Sequence, residues 1–209
     1  MKSLSLAKPL VLVTIGLPGA GKSFFARQFS ETFSAPVISY DRMRHVLSSV
    51  VDQARDTQNL LGELAAYQLD ELFKTKKSFM LDGAGATRTQ RAELRKLARA
   101  AGYDVLLIWV QTDNSTSKYR SMKRSARRTD DRYNSSLSAD EYDQFAKRFT
   151  SPQKNEAYVV ISGKHTYAAQ ARIVLKKLVA PREAQPIVGH GGRKPADDAS
   201  PPRRGILVR

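Results

Sequence analysis

Residues 10–15, Leu-Val-Leu-Val-Thr-Ile, make a continuous, largely β-branched apolar run. It is too short for an ordinary helix and predicts a strand buried on both faces. Phe24, Phe25, Phe29 and Phe33 then recur at helical spacing and predict a helix over about 22–33. Pro36 opens a short second strand over 37–40, and Asp41 stands where an N-cap would, ahead of Met43, Val46, Leu47 and Val50. A longer helix is expected over about 57–73, then a third strand over 78–82 that ends in a carboxylate, Asp82. Residues 87–101 predict a helix stopped by Gly102, and 105–110 (Val-Leu-Leu-Ile-Trp-Val) a fourth buried strand. A basic helix over about 115–128, a polar loop, a helix over about 138–149, a fifth strand over 158–161 and a last helix over 166–178 complete the pattern.

Apolar strands alternating with helices predict an α/β fold with an open parallel sheet, covered on both faces through right-handed crossovers. Ligands of such sheets bind beyond the carboxyl ends of the strands. The loops after the first three strands hold residues 16–23, Asp41 and Asp82, so all three are expected along one edge. The domain spans about 1–180. Beyond it, 181–209 hold five prolines, four glycines, six basic and three acidic residues, which predicts a disordered basic tail.

Composition narrows the picture. A hydrophobic fraction of 41% in 209 residues supports a full core, and the chain has no cysteine. That excludes a disulfide framework, a thiolate metal site and a cysteine nucleophile, and is consistent with a cytoplasmic protein. No stretch approaches the roughly 20 apolar residues of a membrane span. The run at 10–15 leads straight into glycines, unlike an export signal. His45, His165 and His190 have no metal-ligand spacing. A net charge of +15, from 35 basic and 20 acidic residues, favours anionic partners: nucleotides, nucleic acid or acidic membranes.

Gly16-Leu17-Pro18-Gly19-Ala20-Gly21-Lys22-Ser23 satisfies G-x-x-x-x-G-K-[ST], with a strand before it and a helix after it. Glycines let successive backbone N–H groups turn toward phosphate oxygens, and the helix aims its positive end at the same place. Lys22 then bridges the outer phosphates, and the Ser23 hydroxyl ligates Mg²⁺. The ligand expected is ATP with Mg²⁺. Asp82, at a strand end, is the candidate second holder of the metal or its water.

On the acceptor side, Asp41 follows the second strand and is a candidate general base for an acceptor hydroxyl. Arg44, one turn on, shares its helix face and is placed to hold an anionic group of the acceptor. The competing reading is an N-cap Asp beside a solvated Arg. Arg88 reads as a solvated first-turn residue and Arg91 as a candidate substrate contact. Lys118, Arg120, Lys123, Arg124, Arg127 and Arg128 lie within eleven residues with no acid among them. Arg120, Arg124, Arg127 and Arg128 fall near one helical stripe. A flexible lid over about 115–150 carrying these arginines would close on a triphosphate and exclude water, with Arg120 and Arg127 on the nucleotide and Arg124 on the transferring group. Trp109, inside a strand, reads as core.

The sequences GLPGAGKS, VISYDRMR, FMLDG and TRTQRAELRKLARAAGYDVLLIWV, followed by the arginine-rich segment, resemble the P-loop kinases of the polynucleotide-kinase and zeta-toxin kind, over about residues 9–178. Many members are described as AAA-domain ATP-binding proteins. The resemblance implies the P-loop NTPase fold, with a five-stranded parallel sheet of strand order 2-3-1-4-5. It implies Lys22 and Ser23 as nucleotide and magnesium residues, Asp41 as general base, Arg44 as acceptor-phosphate arginine, and Arg124 or a neighbour as the lid arginine. After Asp82 comes Gly-Ala-Gly-Ala, where many relatives carry polar residues, so the acceptor's identity is open. A nucleic-acid end, a nucleoside, a nucleotide sugar and another small molecule all remain as acceptors. Two other classes stay open: an NTPase that hydrolyses ATP to switch or drive a partner, and a nucleic-acid-binding protein that holds ATP structurally. Arginines carried in the same chain favour the kinase.

Overall fold

A computed structural model describes residues 8–48, 54–125, 127 and 132–179. The expected tail over 181–209 and Arg128 lie outside them. The order is β1 (Leu10–Ile15), α1 (Lys22–Phe33), β2 (Val37–Ser39), α2 (Tyr40–Ser48), α3 (Ala54–Thr75), β3 (Phe79–Asp82), α4 (Arg88–Ala100), β4 (Asp104–Gln111), α5 (Asn114–Met122), α6 (Ala139–Arg148), β5 (Tyr158–Ser162) and α7 (Tyr167–Val179). The five strands form one parallel sheet in the order β2-β3-β1-β4-β5.

β1 lies at the centre because both its faces are apolar. It pairs with β3 in register Val11↔Phe79 and with β4 in register Val11↔Val105. Alternate residues feed two cores. Leu10 and Leu12 pack with Phe25, Phe29 and Val174 of α1 and α7. Val11, Val13 and Ile15 pack with Leu61 of α3 and Leu94 of α4 on the other face. Each such side chain contributes about 1.5–3 kcal/mol on full burial, which is why a six-residue strand can anchor the sheet. The phenylalanine spacing in α1 is an aromatic ladder, with Phe25–Phe29 centroids at 5.4 Å and Phe29–Phe33 at 4.5 Å.

Two helices start on reciprocal capping boxes, Thr87 with Gln90 for α4 and Ser138 with Glu141 for α6. Each satisfies two otherwise orphaned N–H groups. Two expectations need correction. The basic helix expected to reach 128 ends at Met122, with Lys123 as its C-cap. Repulsion among like charges one turn apart disfavours continuing it. Asp41 is not an N-cap: α2 begins at Tyr40, and Ser39 Oγ accepts from the Arg42 N–H at 3.4 Å. No helix among the described residues is long and apolar enough to cross a membrane.

Candidate functional site

The loop over 16–23 runs from the end of β1 into α1, with Gly16 at φ 141° and Gly19 at φ 77°. Both are backbone conformations that side chains rarely adopt. A Cβ on Gly16 would also collide with the Val110 carbonyl of β4, and one on Gly19 with the Ser117 carbonyl of α5. The glycines therefore serve two purposes: they set the loop's turn and let the neighbouring backbone close on it. Ala20 is buried, its N–H donates to Leu17 O at 3.2 Å, and its carbonyl accepts from Thr112 Oγ1 at 3.1 Å. Gly21 precedes α1 in the left-handed region. Lys22 curls over the loop, with Nζ donating to Leu17 O at 2.9 Å. Burial pushes its ammonium below the usual lysine range, against the pull of Asp82 and Asp41, and the Arg124 charge adds to the lowering. An ammonium so placed gains a partner when phosphate arrives.

Asp82 is 3% exposed at the end of β3. Thr14 Oγ1 donates to its Oδ1 at 2.7 Å, and the Ser23 hydroxyl is bonded to the same carboxylate. Burial raises the Asp82 carboxyl above the usual range; the Ser23 and Thr14 hydroxyls and the Lys22 charge work against the rise. A hydroxyl and a carboxylate side by side under a phosphate loop form a hard oxygen pair suited to Mg²⁺, which typically takes one or two carboxylates and fills its shell with phosphate and water. The described residues hold no group of three or more His, Cys, Asp or Glu placed for a metal.

Asp41 sits in the first turn of α2, accepting from Arg44 Nη1 at 2.8 Å. Its carboxylate lies against Gly83, and its charge acts on both Lys22 and Asp82. The loops after β1, β2 and β3 thus converge as the topology requires. On the other side, Arg120 donates from α5 to the Gly163 carbonyl after β5 at 3.2 Å. Arg124 lies just past α5, its Nη1 bonded to Ser135 O at 3.1 Å, within electrostatic reach of Lys22. Arg127 is exposed in the turn beyond. The expected single arginine stripe is broken, because the helix carries only its first member.

Arg91 is a correction. It is 0% exposed, its Nε and Nη2 donate to the two Glu156 carboxylate oxygens at 2.8 and 3.0 Å, and its Nη1 donates to Thr150 O at 2.8 Å and Gly85 O at 3.1 Å. A guanidinium so enclosed ties α4 to the segment before β5 and is not available to a substrate. Burial alone would raise the Glu156 carboxyl, but the Arg91 and Gln153 hydrogen bonds outweigh it and hold it below the usual range.

Sequence reasoning also missed Thr14 and the loop after β5. A threonine inside an apolar strand was the available signal for the first, and the Ser162-Gly163 step for the second. Gly163 packs directly on the Ala20 carbonyl, and Lys164 pairs with Asp113. Trp109 joins the core through Tyr158 and Phe149, yet also walls an open recess of about 820 Å³ with Leu17, Asn114 and Lys164.

The fold has known counterparts. The chain aligns over 82% of its length with a sugar kinase from Janibacter sp. HTCC2649, covering 94% of that chain at 15% identity and a TM-score of 0.59. The APS kinase of Mycobacterium tuberculosis, in complex with AMPPNP and APS, aligns over 84% of this chain and 100% of its own, at 18% identity and a TM-score of 0.56. Kti12 of Chaetomium thermophilum, in complex with ADP-AlF3, aligns over 82% and 100%, at 17% identity and a TM-score of 0.59. No curated protein matches the sequence. The family model described as AAA domain matches residues 11–152, more than half of the chain and all of the first four strands but the first residue of β1. With a phosphate-binding loop, a strand-end aspartate and a sheet of this order, the chain belongs to the AAA domain family and has the P-loop NTPase fold.

Proposed function

We propose that the protein is an ATP-dependent kinase that transfers the γ-phosphoryl group to a hydroxyl. The observation that carries the reading is the convergence of Asp41 on the phosphate loop, where its charge reaches Lys22 and Asp82. A carboxylate at that position supports a general base that takes the proton of an acceptor hydroxyl. Its N-cap alternative is weakened, since Ser39 takes that role.

In this reading the loop N–H groups and Lys22 hold the β- and γ-phosphates in line with the acceptor. Ser23 and Asp82 would hold Mg²⁺, which would supply neutralisation of charge on the phosphoryl oxygens. Asp41 orients the hydroxyl and accepts its proton as the oxygen attacks. Arg44 turns from Asp41 to an anionic group of the acceptor, freeing the base. Arg124 is the lid arginine that offsets charge on the transferring group, and Arg120 and Arg127 are the lid's contacts to the nucleotide. The D-x-x-R of α2 and the Asp-Gly that closes β3 support a resemblance to the polynucleotide-kinase and zeta-toxin group. A cytoplasmic location fits a consumer of ATP.

The test is transfer from γ-labelled ATP with Mg²⁺ to 5′-hydroxyl RNA and DNA, nucleosides and nucleotide sugars, with Asp41→Asn alongside wild type. Loss of the general base is expected to slow transfer by about 10²–10⁴-fold while ATP binding persists. Hydrolysis of ATP without transfer, equal in both proteins, would remove Asp41 from the mechanism and the kinase with it.

A further inference from the structure

The helix that carries Asp41 also holds the chain beyond α5. Arg42 and His45 are three positions apart on α2 and so share a helix face. The Tyr133 ring docks there: the Arg42 guanidinium lies 5.3 Å from its centroid, and the His45 ring meets it nearly edge-on at 5.6 Å. Arg132 brings a second guanidinium to 5.7 Å from the same centroid. A guanidinium over an aromatic face is attracted by the ring's quadrupole. Tyr133 is half-buried, although Arg42 and His45 are exposed.

Residues 132–138 are polar apart from Tyr133 and Leu137, and each of these two marks an anchor. Tyr133 ties the segment to α2, and the Leu137 N–H donates to Ser121 O of α5 at 3.1 Å. Ser135 stands midway between the anchors, and its carbonyl accepts from Arg124 Nη1 at 3.1 Å.

Arg124 needs such a hold. Its charge acts on the Lys22 ammonium, so in the empty protein the two cations repel, and a guanidinium on a flexible stem tends to swing away. The hydrogen bond to Ser135 O opposes that swing, but only as far as the carbonyl is itself fixed. Resting on the kinase reading above, in which Arg124 offsets charge on the transferring group, we propose that Tyr133 is a positioning residue: its ring, clasped by Arg42 and His45, sets the Ser135 carbonyl and through it Arg124. One helix, α2, then places both the base and the support of the lid arginine.

The test gives the full-length protein γ-labelled ATP with Mg²⁺ and counts label in inorganic phosphate, 5′-hydroxyl RNA and DNA, nucleosides and nucleotide sugars. Tyr133→Ala, Tyr133→Phe, Arg124→Ala and the Tyr133→Ala/Arg124→Ala double variant are compared with wild type. Arg124→Ala is expected to slow turnover by about 10³-fold, the lower range for an arginine on a transferring phosphoryl group. Tyr133→Ala should lower kcat by about 10–10²-fold, the scale of a misplaced group, with the KM for ATP and the melting temperature unchanged. Tyr133→Phe keeps the ring and should restore kcat. The double variant should be no slower than Arg124→Ala alone, because the two side chains act as one unit. A normal kcat in Tyr133→Ala, a Tyr133→Phe as slow as Tyr133→Ala, or a double variant slower by the full factor of both overturns the positioning role and leaves the kinase standing. An Arg124→Ala that turns over like wild type removes the lid arginine, and the proposal with it. Label moved nowhere by wild type overturns the kinase as well.

Discussion

Burial lifts the Asp82 carboxyl above the usual aspartate range, and the hydroxyls of Ser23 and Thr14 hold it partly down. A raised carboxyl binds its proton more readily folded than unfolded. Its contribution to stability is present below the unfolded value, about 3.9, and is lost as the pH rises through the raised folded one. At neutral pH the carboxyl is therefore a burden on the empty protein. Asp82→Asn should melt above wild type at pH 7 without metal or nucleotide, and the difference should shrink on acidification toward pH 4. The same variant should lose the extra stabilisation that Mg²⁺ adds to ATP. A melting curve with and without Mg²⁺ checks both, and a variant that melts lower at pH 7 would contradict the burial argument. Gly19 gives a second residue-scale prediction. Gly19→Ala forces a Cβ against the α5 backbone at a positive φ, so ATP binding measured by calorimetry should fall while the sheet persists.

Between elements, the Arg91–Glu156 pair holds α4 against the approach to β5. Both groups are nearly out of water, with side chains 0% and 3% exposed. Removing one partner strands the other, so Arg91→Ala should destabilise by about 3–5 kcal/mol in urea unfolding. Arg91→Met with Glu156→Leu should recover most of that, because replacing a buried pair by apolar groups of similar volume is often neutral. Neither result is expected of a substrate-binding arginine, whose loss would leave stability alone. Glu156 also fixes a pH sign. Its folded carboxyl is depressed, so its contribution is present above the ordinary glutamate value near 4.3 and fades as the pH drops through the folded value. The cap of α4 is a smaller device: Thr87→Ala should lower stability by about 1 kcal/mol, since the Gln90 N–H loses its acceptor.

For the whole molecule, the sheet puts three loops from distant parts of the chain on one edge, so a bound ligand should stiffen them together. ATP with Mg²⁺ at about a hundred times its Kd should add about 2.7 kcal/mol of stability, and chelation should remove much of it. A thermal shift that ignores Mg²⁺ would count against Ser23 and Asp82 as its holders. Much of this plan was legible in the sequence. Short, β-branched apolar runs read as buried strands, the glycine spacing with Lys22 and Ser23 between a strand and a helix reads as a phosphate loop, and a carboxylate closing an apolar strand emerges at the sheet edge. These are local features, fixed by periodicity and by conformations open only to glycine. The burial of Arg91 was not legible, because its partner Glu156 is 65 positions away. Nor were the Thr14–Asp82 bond, spanning 68 positions, or the turn that ends α5 at Met122 and brings Arg124 toward Lys22. Residue spacing encodes which face of an element is apolar; which side chains meet across the fold depends on how the packed layers come together, and that only the tertiary structure decided.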